Sequence, residues 1–320
     1  MEVIIMLQIR PFREADYEGI TAVWNAAWPD YSKLVSEFKT QDELRKRNYY
    51  WQRLVAEEAG EIIGYGQFGE AWWSKVEGQY STDFITHPAC LGRGAATAFY
   101  EQMLDRLQER GDLQYLSAET RESYTQAVQF LRERGFEQVM RYPISHLDLT
   151  TFDPSPFRSK VAQVKQAGIY IYSLATLQGA DPDWMRKTHR LKAEVIKDVP
   201  SPDEMVEWPF EEFERTLAYP NYMPEGVFIA IDKGQYVGLS ELWCSQANPE
   251  RLYTGLTGVA RSHRRCGVAT AVKVQAICFA QSYGATILET DNEESNPMFQ
   301  LNLRLGFQPQ PAIIEFKKKV

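Results

Sequence analysis

Two stretches of the chain end alike. "AVQFLRERGFEQ" and "MFQLNLRLGFQP" place Gly135 and Gly306 171 residues apart. Upstream, "LGRGAATAFYEQML" matches "RRCGVATAVKVQAI", with Gly94 and Gly267 173 residues apart. Two matches at nearly one offset mean that the chain holds two copies of one unit. Each copy has about half of the 320 residues to fold with, a usual domain size.

The order of elements within each copy is parallel. In the first, "LQIRPF" within "MEVIIMLQIRPF" reads as a strand, and Tyr17 to Trp28 has helical apolar spacing. A hairpin turns at Gly60, and a strand is ended by Pro88. A helix runs from about Gly94 to Arg110, stopping at Gly111. Then come the strand "LQYLSAET", a helix from Thr125 to Arg134 and "FEQVMRYPISHLDL" as one final strand. The second copy gives the strand "GIYIYSLATL", helices around Asp183–Ile196 and Glu211–Leu217, a hairpin and the strand "RLYTGLTGV". A helix over 267–283, the strand "ATILETD", a helix over 298–305 and a closing strand "AIIEFKKKV" follow. Between the copies, "TTFDPSPFRSK" reads as a linker. The expected division is 1–150, a linker over 151–167, and 168–320, with a mixed α/β layout in each copy.

Charge narrows the function. The net charge is −8 and the pI about 5.3, which argues against a general nucleic-acid or anionic-membrane binder. Cys90, Cys244, Cys266 and Cys278 are scattered with no C-x-x-C pair, so neither a disulfide framework nor a metal site is expected. The opening apolar run is too short to span a membrane and has no basic flank, so a cytoplasmic protein is expected.

"HRRCGVATAVK" sets basic residues and a glycine at the mouth of a helix. The first N–H groups of a helix lack partners, and its dipole is positive there, so such a mouth suits phosphate. The glycine turn follows the fourth strand of each copy rather than the first, which sets a Rossmann domain aside, and a Walker loop is absent.

At these residues the chain resembles the GNAT superfamily of N-acetyltransferases in tandem. The family signature R/Q-x-x-G-x-G/A is met by Arg264-Arg265-Cys266-Gly267-Val268-Ala269, and "TDNEESNPMFQLNLRLGF" matches the family's last helix. The resemblance covers nearly the whole chain and implies two domains, each a mixed, mostly antiparallel sheet flanked by helices. It further implies acetyl-CoA as co-substrate, with its pyrophosphate on the N–H groups of the loop Arg264, Arg265, Cys266, Gly267, Val268, Ala269 and Thr270. The pantetheine arm would run along Leu256, Thr257, Gly258 and Val259, with Asn292 and Asn296 near the coenzyme or capping the last helix. Gly255 and Gly258 suit close approach of a ligand, or a bulge; the two are compatible.

The chain departs from the commoner family pattern at the proton-transfer positions. Tyr253, and Tyr80 in the first copy, stand where many members carry a fourth-strand Glu. Asn302 and Leu131 stand where many carry a Tyr that protonates the thiolate. Glu241, on the neighbouring strand, is the candidate base, with Tyr253 as a possible relay and Asn302 as a donor to sulfur or pantetheine. In the first copy Leu91 replaces the basic residue of the signature and Tyr124 stands where an Asn is common, so the second copy is expected to be catalytic. The acidic, aromatic stretch from Lys197 to Gly226 lies where the family builds its acceptor site and suits a cationic amine. The expected activity is acetyl transfer to a primary amine of a small molecule, by a monomer acting as an internal pseudo-dimer or by a homodimer. Transfer of another acyl group and a non-catalytic acyl-CoA sensor are the rivals.

Overall fold

The computed structural model describes residues 7–45 and 48–320. The start of the expected first strand, 1–6, lies outside the described residues. The first half gives β1 (Gln8–Pro11), α1 (Tyr17–Ala27), α2 (Val35–Leu44), β2 (Trp51–Glu58), β3 (Glu61–Glu70) and β4 (Gln79–Thr86). It continues with α3 (Ala95–Arg110), β5 (Tyr115–Arg121), α4 (Thr125–Glu133), β6 (Glu137–Tyr142) and β7 (Ile144–Asp148). The second half gives α5 (Arg158–Gln166), β8 (Ile169–Ser173), α6 (Leu174–Ala180), α7 (Trp184–Ile196), α8 (Phe210–Thr216), β9 (Phe228–Asp232) and β10 (Gln235–Cys244). After these come β11 (Arg251–Val259), α9 (Val268–Tyr283), β12 (Ile287–Asp291), α10 (Pro297–Arg304), β13 (Gln308–Pro309) and β14 (Ile313–Lys319).

Local chemistry sets the shared layout. The β2–β3 hairpin turns on Ala59 and Gly60, and the β9–β10 hairpin on Lys233 and Gly234, each pair with φ positive at both residues. That is the twist a two-residue hairpin demands. α3 begins and ends on left-handed Gly94 and Gly111, and α9 on Gly267 and Gly284.

Two seven-stranded sheets result, ordered β1-β2-β3-β4-β5-β14-β6 and β13-β7-β12-β11-β10-β9-β8. Each holds a parallel pair, β4 with β5 and β11 with β12. The pairing is brief, ending at Thr82↔Ala118 in the first and Tyr253↔Glu289 in the second. Beyond those rungs the strands part, opening a wedge at the centre of each sheet.

The last strands are exchanged. What reads as one strand, "FEQVMRYPISHLDL", is broken at Pro143, which has no N–H to donate. β6 stays in the first sheet, while β7 pairs with β12 in the second. In return β14 pairs with β5 along its whole length, from Ile313↔Arg121 to Lys319↔Tyr115. One compact unit therefore holds the described residues up to Arg141 with Pro202–Val206 and Ile313–Val320; the other holds Tyr142–Ser201 and Glu207–Ala312. A single cut between 150 and 168 does not describe this pattern. Nor is 151–167 an open linker, since it contains α5, whose Val164 is buried in the second core.

Each unit has its own core. In the first, α3 lays Phe99, Met103 and Leu107 against Phe68, Tyr80 and Leu116. In the second, α9 is apolar on most sides and buries Val272 in one cluster and Val274 and Ile277 in another. Fully burying such a side chain contributes about 1.5–3 kcal/mol. α9 has a single charged residue, Lys273, and it is only 2% exposed.

Candidate functional site

The second unit carries a distortion that the first lacks. On β10, Ser240 pairs with Thr257 and Leu242 with Thr254, so Glu241 alone faces Gly255 and Leu256. This is a bulge in β11 at the mouth of the wedge. It takes the Leu256 N–H out of the ladder, and Glu241 Oε2 accepts it at 3.2 Å. By contrast β4 pairs with β3 in unbroken register from Gly64↔Thr86 to Glu70↔Tyr80.

Beyond β11, Arg265 (φ 62°) and Gly267 (φ 87°) adopt left-handed conformations, which turns successive N–H groups into one concavity at the start of α9. Arg265 is exposed, and Val268 is buried beneath the loop while Ala269 and Thr270 line the first turn. The stem of Lys160, from α5, crosses Gly267 so closely that a Cβ there would lie 2.7 Å from Lys160 Cε. Lys160 is exposed and adds an ammonium beside the loop; its place in the stretch read as a linker hid it from the sequence. Arg264 is otherwise engaged. Its Nε donates to the Val259 carbonyl at 3.0 Å and its Nη2 pairs with Asp198. Asp198 also takes Arg261, and these two guanidinium groups hold its carboxyl below the usual range. Arg264 therefore ties the loop to the end of β11. Cys266 Sγ contacts the Arg264 carbonyl at 3.4 Å.

The glycines of β11 serve packing. A Cβ on Gly258 would stand 2.0 Å from Val195 of α7, and one on Gly255 would stand 2.4 Å from Trp243 Nε1. Thr257 pairs its hydroxyl with Ser240 at 3.0 Å.

Glu241 faces the wedge region but is not an open carboxylate. It is 2% exposed and ion-paired to Lys192 Nζ of α7 at 2.5 Å. Burial raises the Tyr222 hydroxyl above the ordinary tyrosine range, and the Glu241 charge adds to that. Register places Tyr253 beside both Trp243 and Glu289, so Glu241, Tyr253, Glu289 and Asp291 share one sheet face. Asp291 lies past the last β11–β12 rung and is solvent-accessible. The protein around it raises its carboxyl above the usual value, and the Glu289 charge adds to that. Sequence reasoning passed over Asp291 for its neighbour, Asn292.

Asn302 is fully buried within a polar chain. Lys273 Nζ donates to Asn302 Oδ1 at 2.6 Å, and Asn302 Nδ2 donates to Asn292 Oδ1 at 2.5 Å. Burial pulls Lys273 down to about 7 against the opposing pull of Asp291. Asn296, expected near the coenzyme or as a cap, caps α10: its Oδ1 accepts the Met298 N–H at 2.9 Å.

The acidic wall expected over 197–226 is largely neutralised. Glu207 pairs with Lys197, Glu212 with Arg215, and Asp198 with two arginines. The cavity beside α7, about 700 Å³, is lined by Arg186, Arg190, Lys197 and Arg261 against Glu194 and Glu207. The aromatics instead gather on His189, whose ring lies 5.4 Å from Phe210 and 6.0 Å from Phe213. Among the described residues no cluster of three or more His, Cys, Asp or Glu is arranged to hold a metal, and no helix is long and apolar enough to cross a membrane.

The first unit repeats the loop without its surroundings. Gly92 (φ 78°) and Gly94 (φ 84°) reproduce the backbone of Arg265 and Gly267. Nothing lies within 4 Å of a Cβ at either, Arg93 pairs with Glu58 at 2.6 Å, and Leu91 is 54% exposed. Past the last rung of its wedge stands the carboxylate of Asp83.

A duplicated mixed sheet, split at one parallel pair with a glycine-bearing loop and helix after it, defines an acyltransferase architecture. The profile of the acetyltransferase (GNAT) family matches residues 14–136 and 193–307, and the chain belongs to that family: it is a tandem GNAT transferase. A tandem GNAT protein from the clavulanic acid biosynthesis pathway superposes with TM-score 0.75 at 16% identity, over 98% of each chain. A GCN5-related N-acetyltransferase from Sphaerobacter thermophilus gives 0.71 at 18%, over 98% of this chain and 95% of that one. A glucosamine N-acetyltransferase region of a fungal β-N-acetylglucosaminidase gives 0.71 at 13%, over 99% of this chain and 38% of that one. No curated protein sequence matches the chain.

Proposed function

We propose that the protein is an acetyl-CoA-dependent N-acetyltransferase for a primary amine of a small molecule, with one catalytic site, in the second unit. The observation that carries this reading is the pairing of the β11 bulge with the Lys160-flanked Gly267 loop, a combination absent from the first unit. Acetyl-CoA would supply the activated acyl group as its thioester. The loop N–H groups and Lys160 would hold its pyrophosphate, and the β11 edge would hold its extended arm. The Leu256 N–H, taken out of the ladder by the bulge, is accepted by Glu241 and fixes the bulge at the mouth of the wedge. Asp291, open to solvent and more basic than an ordinary aspartate, would take the proton of the incoming ammonium. Glu241 would hold Lys192 and the bulge in place rather than act as the base. Asn302, fully buried between Lys273 and Asn292, would hold Asn292 in place rather than reach the departing sulfur. The net charge favours a small acceptor over nucleic acid.

Thiol release from acetyl-CoA with a panel of primary amines tests the reading. Asp291→Asn should lower kcat by roughly 10²–10⁴-fold and leave acetyl-CoA affinity unchanged. In the wild type, activity should fall as pH drops through a value above the ordinary aspartate range, about 3.9, because the base is lost on protonation. That limb should vanish in the variant. An unchanged limb would remove Asp291 from the mechanism, and no turnover with any amine would contradict the enzyme reading.

A further inference from the structure

The first unit sets an arginine in its wedge with no anion to bind. Arg121 stands on β5 three residues past the Thr82↔Ala118 rung, where β4 and β5 have parted. Its guanidinium carbon lies 5.0 Å from the Trp28 ring centre and 4.7 Å from that of Tyr31. Among the described residues its side chain makes no ion pair and no hydrogen bond, and its Nε is enclosed without a partner. The carboxylate next to it in the chain, Glu122, is held through both oxygens by Arg141, at 2.9 Å each. Arg121 as a whole is only partly buried. With its inner edge enclosed and two rings against it, the outer Nη edge is what it presents to a ligand.

A helix begins at the same place. The Tyr124 N–H donates to the Arg121 carbonyl at 2.9 Å, a turn that leads from Arg121 directly into α4. α4 has no side-chain cap and no acidic residue in its first turn, so the positive end of its dipole is met by no side chain of its own. The matching helix of the second unit, α10, is closed by Asn296, which accepts the Met298 N–H. Tyr124 does not close α4. Its hydroxyl donates instead to the Ala27 carbonyl at 3.1 Å, and its ring centre lies 5.1 Å from that of Trp28. Tyr124 is 37% exposed. An unpaired guanidinium and an uncapped helix start therefore meet beside an aromatic surface. A bare anion would answer the charge and leave the rings uncovered. A neutral ring would cover the rings and leave the charge.

We propose that the first unit binds a monocarboxylate with a flat apolar body. The Nη edge of Arg121 takes the carboxylate, a fork that matches its two oxygens, with the start of α4 adding to the attraction. The body of the ligand lies against Trp28 and Tyr124. The site is separate from the reaction assigned to the second unit and does not rest on it.

Calorimetric titration of the full chain with benzoate, 4-hydroxyphenylacetate and indole-3-acetate tests this. Acetate and the three corresponding amides are titrated in parallel. At least one of the three acids should bind at about millimolar Kd or tighter, and both its amide and acetate should bind about tenfold weaker or worse. Arg121→Gln should weaken that acid to the level of its amide in the wild type. The analogue series on the wild-type chain decides the question even where the variant does not fold. No binding by any of the three acids, an amide or acetate that binds as tightly as the acid, or a folded Arg121→Gln chain with unchanged affinity would each overturn the proposal.

Discussion

Glu241 shows how one residue type carries opposite readings. In the sequence it is a carboxylate beside the fourth strand, a natural base. In the fold it is one half of a buried pair, 2% exposed, with Lys192 at 4%. Removing one partner of such a pair leaves the other charge stranded. Glu241→Gln should therefore destabilise the second unit by about 3–5 kcal/mol, read by denaturant unfolding, and Lys192→Met should partly restore the loss when added to it. A stability change below about 1 kcal/mol would mean that the pair is not the buried contact described. The loop of 264–270 was legible because glycine and arginine at a helix mouth leave a short-range signature. Lys160 and Asp291 were not, because their roles come from neighbours distant in sequence. Asn302 was singled out as a departure, yet its partner Lys273, which ends the quoted motif itself, reads as one more helix residue until the apolar faces around it are known.

Among the elements, most helices followed from apolar spacing and glycine stops, and the hairpins from their turns. The bulge in β11 was legible only as an alternative reading of Gly255 and Gly258, since pairing register depends on both strands. The short helix α6 was hidden inside an apolar run that reads as strand. α9 carries the sharpest elementary consequence. A lysine inside an apolar helix lowers stability while it is charged. Its folded value is about 7, against about 10.4 unfolded, so over that window the unfolded chain binds more protons. Stability should then rise from pH 7 toward pH 10 by up to about 1.4 kcal/mol per unit from this group alone, with its full cost present below pH 7. Lys273→Met should flatten that rise. Parallel stability–pH curves for wild type and variant would show that Lys273 is not held neutral.

At the scale of the molecule, the duplication was plain in the sequence and the exchange of last strands was not. Nothing local tells "AIIEFKKKV" that its partner is β5 rather than a strand of its own copy. A chain ending at residue 150 lacks β14, whose buried Phe316 and Ile314 complete the first core. It should fail to fold alone, showing no cooperative unfolding, and recover on adding the segment 307–320 in excess. Cooperative unfolding of residues 1–150 alone would contradict the exchanged arrangement.

The central claim is that duplication has left one coenzyme site and that it lies at Gly267. Both loops share a backbone, so their side chains and surroundings separate them. Calorimetric titration of acetyl-CoA into the full chain, repeated with Gly267→Asp and Gly94→Asp, tests this most directly. The account predicts one molecule bound per chain, binding abolished by Gly267→Asp through charge and crowding against the loop, and binding untouched by Gly94→Asp. Two molecules per chain, or binding lost with Gly94→Asp and kept with Gly267→Asp, would contradict it.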